Sequence, residues 1–176
     1  LTIVPQNFGD IIYVIGKTGD EIGGSEFSKI FNINDNKVPR VDEKTAKENY
    51  NNFTVANNKK LITSAISVGI GGLAVALSKM AIASGMGLKA DLKNINKINN
   101  KTNDYHILFS ESPSRIITTV HQANKKRFEI FFKKNQLSLL GKIVKSKKIV
   151  FEMNSKAKFE VNITSINNKY KKDLFN

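Results

Sequence analysis

Short apolar runs alternate with polar loops along the chain, without a repeat and without a long uninterrupted apolar segment. Residues 10–16 (DIIYVIG) form a compact β-branched run bounded by Gly9 and Gly16, which predicts a buried strand. Residues 17–24 (KTGDEIGG) make a glycine-containing loop. Ser25 followed by Glu26 has the chemistry of an N-cap and predicts a short helix through Phe31. Residues 32–40 are a polar loop closed by Pro39. Asp42 caps a second helix whose apolar spacing points Ala46, Asn49, Tyr50 and Phe53 inward. Leu61 to Val68 reads as another buried strand, and Gly69, Gly71 and Gly72 as a tight turn. Leu73 to Ser84 (LAVALSKMAIAS) is the clearest helix, rich in Ala and Leu and stopped by Gly85. Met86 to Leu92 predicts a strand. The Asn-rich stretch 93–103 is expected to be the most mobile loop. Arg115 to Val120 predicts a strand, and Asn124 caps a helix with Phe128, Phe131 and Phe132 on its inner side. Leu137–Val144, Lys148–Met153 and Lys158–Ile163 alternate as short strands, and Thr164 or Ser165 caps a final basic helix. The mixture predicts one α+β domain over residues 1–176, with helices packed on a sheet.

Composition narrows the chemistry. Of 176 residues, 40% are hydrophobic and 24% charged, enough apolar content for a core and too much for a disordered chain. There is no cysteine, which excludes a disulfide scaffold, a thiolate zinc site and a cysteine nucleophile. Two histidines, His106 and His121, argue against a multi-histidine metal centre. The longest apolar stretch, Ala65 to Leu77, is too short to cross a bilayer, so no membrane association and a cytoplasmic location are expected. The chain starts at Leu1 rather than a methionine, which suggests a piece of a longer multi-domain chain.

The net charge is +13, and it is uneven. Residues 121–176 carry 14 Lys and Arg against 4 Asp and Glu. A basic end suits a nucleic acid, an anionic surface or a phosphorylated ligand, and equally a solvated lysine-rich surface. The 21 asparagines, often beside lysine, suit an A+T-rich genome as well as any function. No aromatic–basic interleaving of the single-strand-binding kind is present, so nucleic acid is not the expected partner.

Several motifs carry candidate chemistry. Gly16-Lys17-Thr18 lacks the earlier glycine of a phosphate loop, since position 11 is Ile11. Gly23-Gly24-Ser25-Glu26 places glycines before a helix start, where free N–H groups favour an anion; a plain N-capped loop reads the same way. Gly69-Ile70-Gly71-Gly72 repeats the device, and close helix–sheet packing is its alternative. Ser110-Glu111-Ser112-Pro113-Ser114-Arg115 sets a carboxylate and a guanidinium at the mouth of a strand. They can orient a ligand or pair with each other. His106 stands alone and is read as structural. No nucleophile–base pair or metal constellation emerges from spacing, so no residue is assigned as catalytic or as a metal ligand.

Three segments together resemble one family. They are residues 9–16 with 20–27 (GDIIYVIG and DEIGGSEF), residues 71–77 with 80–83 (GGLAVAL and MAIA), and residues 108–115 (LFSESPSR). In order and spacing they resemble the last C-terminal synthase-type domain of phosphoribosylformylglycinamidine synthase. Val38-Pro39, the helix from Asp42 and the closing stretch from Ile163 to Phe175 are also similar, so the likeness covers nearly the whole chain. The resemblance implies a three-layer α/β/α domain with a mixed sheet, of the aminoimidazole ribonucleotide synthase superfamily. It implies a role in an ATP- and magnesium-dependent purine-pathway ligase that converts formylglycinamide ribonucleotide to its amidine. The amide oxygen is phosphorylated there, and ammonia from a glutaminase domain or subunit displaces the phosphate. This domain would work with N-terminal domains of the same enzyme and form one wall of a phosphate or nucleotide cleft. Gly23, Gly24, Ser25, Ser67, Gly71 and Gly72 would contact phosphate or nucleotide, and Glu111, Ser112 and Arg115 would order the cleft.

One stretch departs from the family. Where its members read His-Asp-x-Ser-Asp-Gly-Gly-Leu, this chain reads Ile66-Ser67-Val68-Gly69-Ile70-Gly71-Gly72-Leu73. Both aspartates are replaced, so the magnesium ligand the family implies has no carboxylate here. A catalytically decayed scaffold domain of the same enzyme stays open as an alternative, as does a basic nucleic-acid-binding module. A hydrogenase-maturation, selenophosphate or thiamine-phosphate enzyme of the same superfamily is opposed by the Glu-Ser-x-Ser-Arg segment.

Overall fold

The computed structural model describes residues 1–153 and 158–175. Seven strands form one sheet: β1 (Ile11–Ile15), β2 (Ile62–Ser67), β3 (Gly87–Asp91), β4 (Ile116–Val120), β5 (Leu137–Val144), β6 (Lys148–Glu152) and β7 (Lys158–Asn162). Their order is β2-β4-β1-β5-β3-β6-β7. The β3–β6 pair is parallel and the other five pairs are antiparallel. Among the described residues six α-helices accompany the sheet: α1 (Glu26–Ile30), α2 (Glu43–Asn58), α3 (Gly72–Ser84), α4 (Asp104–Phe109), α5 (Lys125–Glu129) and α6 (Ile163–Phe175).

The period-2 alternation of strand side chains builds a core on each face of the sheet. In β1, Ile12 and Val14 turn toward Leu73, Leu77 and Met80 of α3, Ile107 of α4 and Ile163 of α6. Ile11, Tyr13 and Ile15 turn the other way, toward Ala56 of α2, Phe128 of α5 and Phe132. Helices therefore lie on both faces, giving the expected three layers. The Tyr13 hydroxyl donates to Glu129 at 2.8 Å and its ring lies 5.0 Å from that of Phe128, which ties α5 to the central strand.

Several local expectations are corrected. β2 is an edge strand of the sheet, as β7 is at the other end, and its side chains are only alternately buried. Tyr50 points outward at 45% exposure, and Asn49 and Ala56 turn inward beside Ala46. The final helix starts at Ile163, whose N–H is bound to the Lys147 carbonyl at 3.0 Å. Asn162 Oδ1 accepts from Thr164 N at 2.9 Å, so Asn162 does the work expected of Thr164 or Ser165. Residues 104–109 form a helix that periodicity did not suggest, closed by a capping box between Asn103 and His106. The 93–103 stretch is tied down: Asn96 Nδ2 donates to the carbonyls of Lys134 and Leu137, and Ile98 N to that of Thr18.

Candidate functional site

Two helix starts meet at one carboxylate. α1 begins after Gly23-Gly24-Ser25 and α3 after Gly69-Ile70-Gly71. Glu111 Oε1 accepts from the backbone N–H of Glu26 at 3.1 Å and from that of Gly71 at 2.9 Å. A single oxygen thus satisfies one orphan donor of each helix and places negative charge at the positive end of both dipoles. Glu111 and Arg115 are not an ion pair.

Arg115 turns the other way and is 1% exposed. Its guanidinium donates to the carbonyls of Ser110 and Ser112 and to Thr18 Oγ1. Burial holds its pKa down, to about 10, and the nearby Glu21 carboxylate opposes that shift, so the group is charged at neutral pH. Ser112 Oγ accepts from Gly19 N at 3.0 Å and donates to Glu21 Oε2 at 2.7 Å. The 110–115 segment is therefore a hub. It clamps the loop after β1 through Arg115 and Ser112, and the two glycine turns through Glu111.

A second clamp fixes the first glycine turn. Asp20, 6% exposed, accepts from Lys37 Nζ and from Asn99 Nδ2 at 2.8 Å. Those bonds, Lys37 first, lower its pKa to about 2. Gly23 N donates to the Lys37 carbonyl at 3.0 Å. A Cβ on Gly23 would stand 2.5 Å from the Asp35 carbonyl oxygen, so glycine is needed here for the fold.

The sequence-predicted residues fall into two groups. Ser25 is 2% exposed; its hydroxyl accepts from Ser28 N and donates to the Ile22 carbonyl, so it serves as the N-cap. Gly72 is buried, and a Cβ there would meet the carbonyl oxygens of Leu108 and Ser110 at 2.7 Å. Gly23, Ser25 and Gly72 thus shape the turns from within. Gly24 has a left-handed φ of 75° and open space around it, and Ser67 is exposed at the end of β2. Ile70 is 73% exposed beside Gly71 and offers no polar atom. Ser67 stands where the resemblance implies a magnesium ligand, and it does not fit one, because neither it nor the nearby Ile70 supplies a charged oxygen. Among the described residues no three His, Asp or Glu side chains converge on a common point. His106 acts locally: its Nδ1 accepts from Asn103 N at 3.3 Å, and desolvation lowers its pKa. Spacing gave no signal for the Asp20–Lys37–Asn99 clamp, because its members come from three separate loops.

The family of AIR synthase related proteins, C-terminal domain, matches residues 7–154. The chain belongs to this family. Its relatives include the phosphoribosylformylglycinamidine synthase subunit PurL of Methanocaldococcus jannaschii, 34% identical over 163 residues, which is 92% of this chain and 22% of that protein. The same subunit of Lactobacillus helveticus is 33% identical over 79% of this chain and 17% of its own length. The chain spans about a fifth of the length of these curated relatives. Among solved structures, Thermotoga maritima PurL complexed with FGAR superposes with a TM-score of 0.82 at 18% identity, over 94% of this chain and 29% of that one. Escherichia coli HypE, a hydrogenase maturation protein, gives 0.66 at 13% identity over 92% and 51%. At such identities both likenesses are of fold. The superfamily architecture expected from the sequence is the one found.

Proposed function

We propose that this chain is one domain of a longer phosphoribosylformylglycinamidine synthase, an ATP-dependent carbon–nitrogen ligase of purine biosynthesis in the cytoplasm. The observation that carries the proposal is the identity of 34% to a PurL subunit across 92% of the chain. In such an enzyme this domain packs against N-terminal domains of the same polypeptide, and a glutaminase partner supplies ammonia. ATP activates the amide oxygen of formylglycinamide ribonucleotide, and ammonia displaces the phosphate.

The geometry supports a role as one wall of the phosphate-facing cleft. Gly24 and Ser67 form the accessible rim and are the proposed contacts, with the buried Gly23, Ser25, Gly71 and Gly72 supporting them from behind. Glu111 is a positioning residue: it locks the two helix starts together. Ser112 and Arg115 hold the loop that carries it. Because Glu111 already takes the Gly71 N–H, a phosphate approaching this turn meets a neutralised helix end. Ser67 and Ile70 lack the carboxylates a magnesium ion needs, so no step is routed through a metal at this position.

The same two features favour a second reading, that this half of the enzyme's paired sites is catalytically decayed and serves as a scaffold. The proposal is tested by assaying the polypeptide that carries this domain for phosphate release from ATP. Release that requires both formylglycinamide ribonucleotide and an ammonia source is expected. Absence of release, or release indifferent to the ribonucleotide, overturns it.

A further inference from the structure

A cleft of about 230 Å³ opens between the N-terminal end of α2, the loop after β1 and the start of β5. None of the glycine-turn residues lines it. Two amides do: Asn49 from α2 and Gln136 from the turn before β5, 3% and 8% exposed. Asn49 Nδ2 donates to Gln136 Oε1 at 3.3 Å. That bond uses one donor and one acceptor. Asn49 Oδ1 and Gln136 Nε2 have no partner among the described residues. Among the described residues Asp10 Oδ1 is the only wholly enclosed, unpartnered side-chain polar atom, so the free amide atoms reach solvent, and both residues line the cleft. One free acceptor and one free donor side by side make this pair a receptor for a planar group presenting one donor and one acceptor.

The mouth is basic. Lys17 and Arg40 line it, and among the described residues neither makes a hydrogen bond or an ion pair. Asp42 lies between α2 and this mouth, but its carboxylate is engaged by Thr45 N at 3.1 Å and Thr45 Oγ1 at 2.7 Å. Asp42 stays charged and attracts Lys17, so the mouth holds two cations against one carboxylate, and the net positive charge favours an anionic ligand. The wall includes Ser114, a non-glycine residue held at a left-handed φ of 60°, a conformation that persists only where its surroundings enforce it. The volume falls below the range of about 300–1,000 Å³ usual for drug-sized ligands, so the occupant is closer to an amino acid in size than to a nucleotide.

We propose that this cleft binds a small carboxylate bearing an amide-type edge, of the N-acylamino-acid class, with the amide on Asn49 and Gln136 and the carboxylate on Lys17 and Arg40. The site is separate from the glycine turns, and the inference does not rest on the synthase reading. The probe is N-acetylglycine, titrated into the ¹⁵N-labelled 176-residue chain while the side-chain amide signals of Asn49 and Gln136 are followed. Saturable movement of both signals is expected. Binding is expected to weaken by at least about tenfold when Lys17→Ala and Arg40→Ala are combined. Acetate alone and acetamide alone are each expected to bind at least about tenfold more weakly than the probe. Gln136→Leu is expected to abolish binding; if that variant does not fold, the Lys17/Arg40 pair, at the cleft mouth, still decides. The proposal is overturned if the two amide signals stay still, if acetate matches N-acetylglycine, or if the double variant binds undiminished.

Discussion

Glu111 connects segments far apart in sequence, since its partners lie 40 and 85 residues away. Charge-assisted bonds to backbone N–H groups are stronger than neutral ones. Glu111→Ala is expected to cost about 1–3 kcal/mol in urea unfolding, because it leaves two helix starts without their acceptor. Glu111→Gln, which keeps the shape, should cost about half as much. Arg115→Ala removes three donors from a buried position and is expected to cost about 3 kcal/mol or more. Asp20 makes a pH prediction. Its folded pKa of about 2 lies below its ordinary value of 3.8, so it contributes stability that is present above pH about 4 and lost as pH falls toward 2. That contribution is about 2 kcal/mol, and Asp20→Asn should flatten the acid limb of the stability curve measured by thermal unfolding. The cluster Ser110–Arg115 was visible in the sequence as chemistry. Its wiring was not: spacing cannot tell a carboxylate that pairs with a guanidinium four residues on from one that reaches a turn 40 residues back.

Most elements were legible because local signals and tertiary context agree. β1 is apolar at every position and is buried on both faces, and α3 carries its own stop at Gly85, which adopts the left-handed conformation of a C-cap. The failures have local causes. α4 has six residues, too few for helical periodicity, and follows an Asn-rich run that reads as loop. The α6 start moved by two or three residues because a long-range bond from Ile163 to Lys147 fixes it. The 93–103 stretch reads as mobile by composition, yet Asn96 donates to the carbonyls of Lys134 and Leu137 and Asn99 to the Asp20 carboxylate. Hydrogen exchange should therefore find the Ile98 amide, bound to Thr18 O at 2.9 Å, protected well above random-coil rates. Gly72→Ala tests the α3–α4 contact. Its new Cβ would stand 2.7 Å from two carbonyl oxygens at a left-handed φ of 67°, and a loss of about 2 kcal/mol or more is expected.

The family-level architecture was legible over most of the chain, and the family match spans residues 7–154, because the motifs that carry it are the turns that join the sheet to its helices. The charge of +13 proved a weaker guide. Lysines such as Lys89 and Lys148 occupy outward positions on strands whose neighbours are buried, as a solvated face requires. Among the described residues no helix is long and apolar enough to cross a membrane. The central proposal is that this domain, through the turns held by Glu111, forms part of a formylglycinamide ribonucleotide-dependent synthase. It is tested most directly by steady-state phosphate release from ATP, with and without the ribonucleotide, in the polypeptide carrying this domain and in its Glu111→Gln variant. The account predicts turnover that depends on the ribonucleotide and falls by at least about tenfold in kcat/KM in the variant, with the fold retained. Turnover without ribonucleotide dependence, or a variant indistinguishable from the parent, would contradict it.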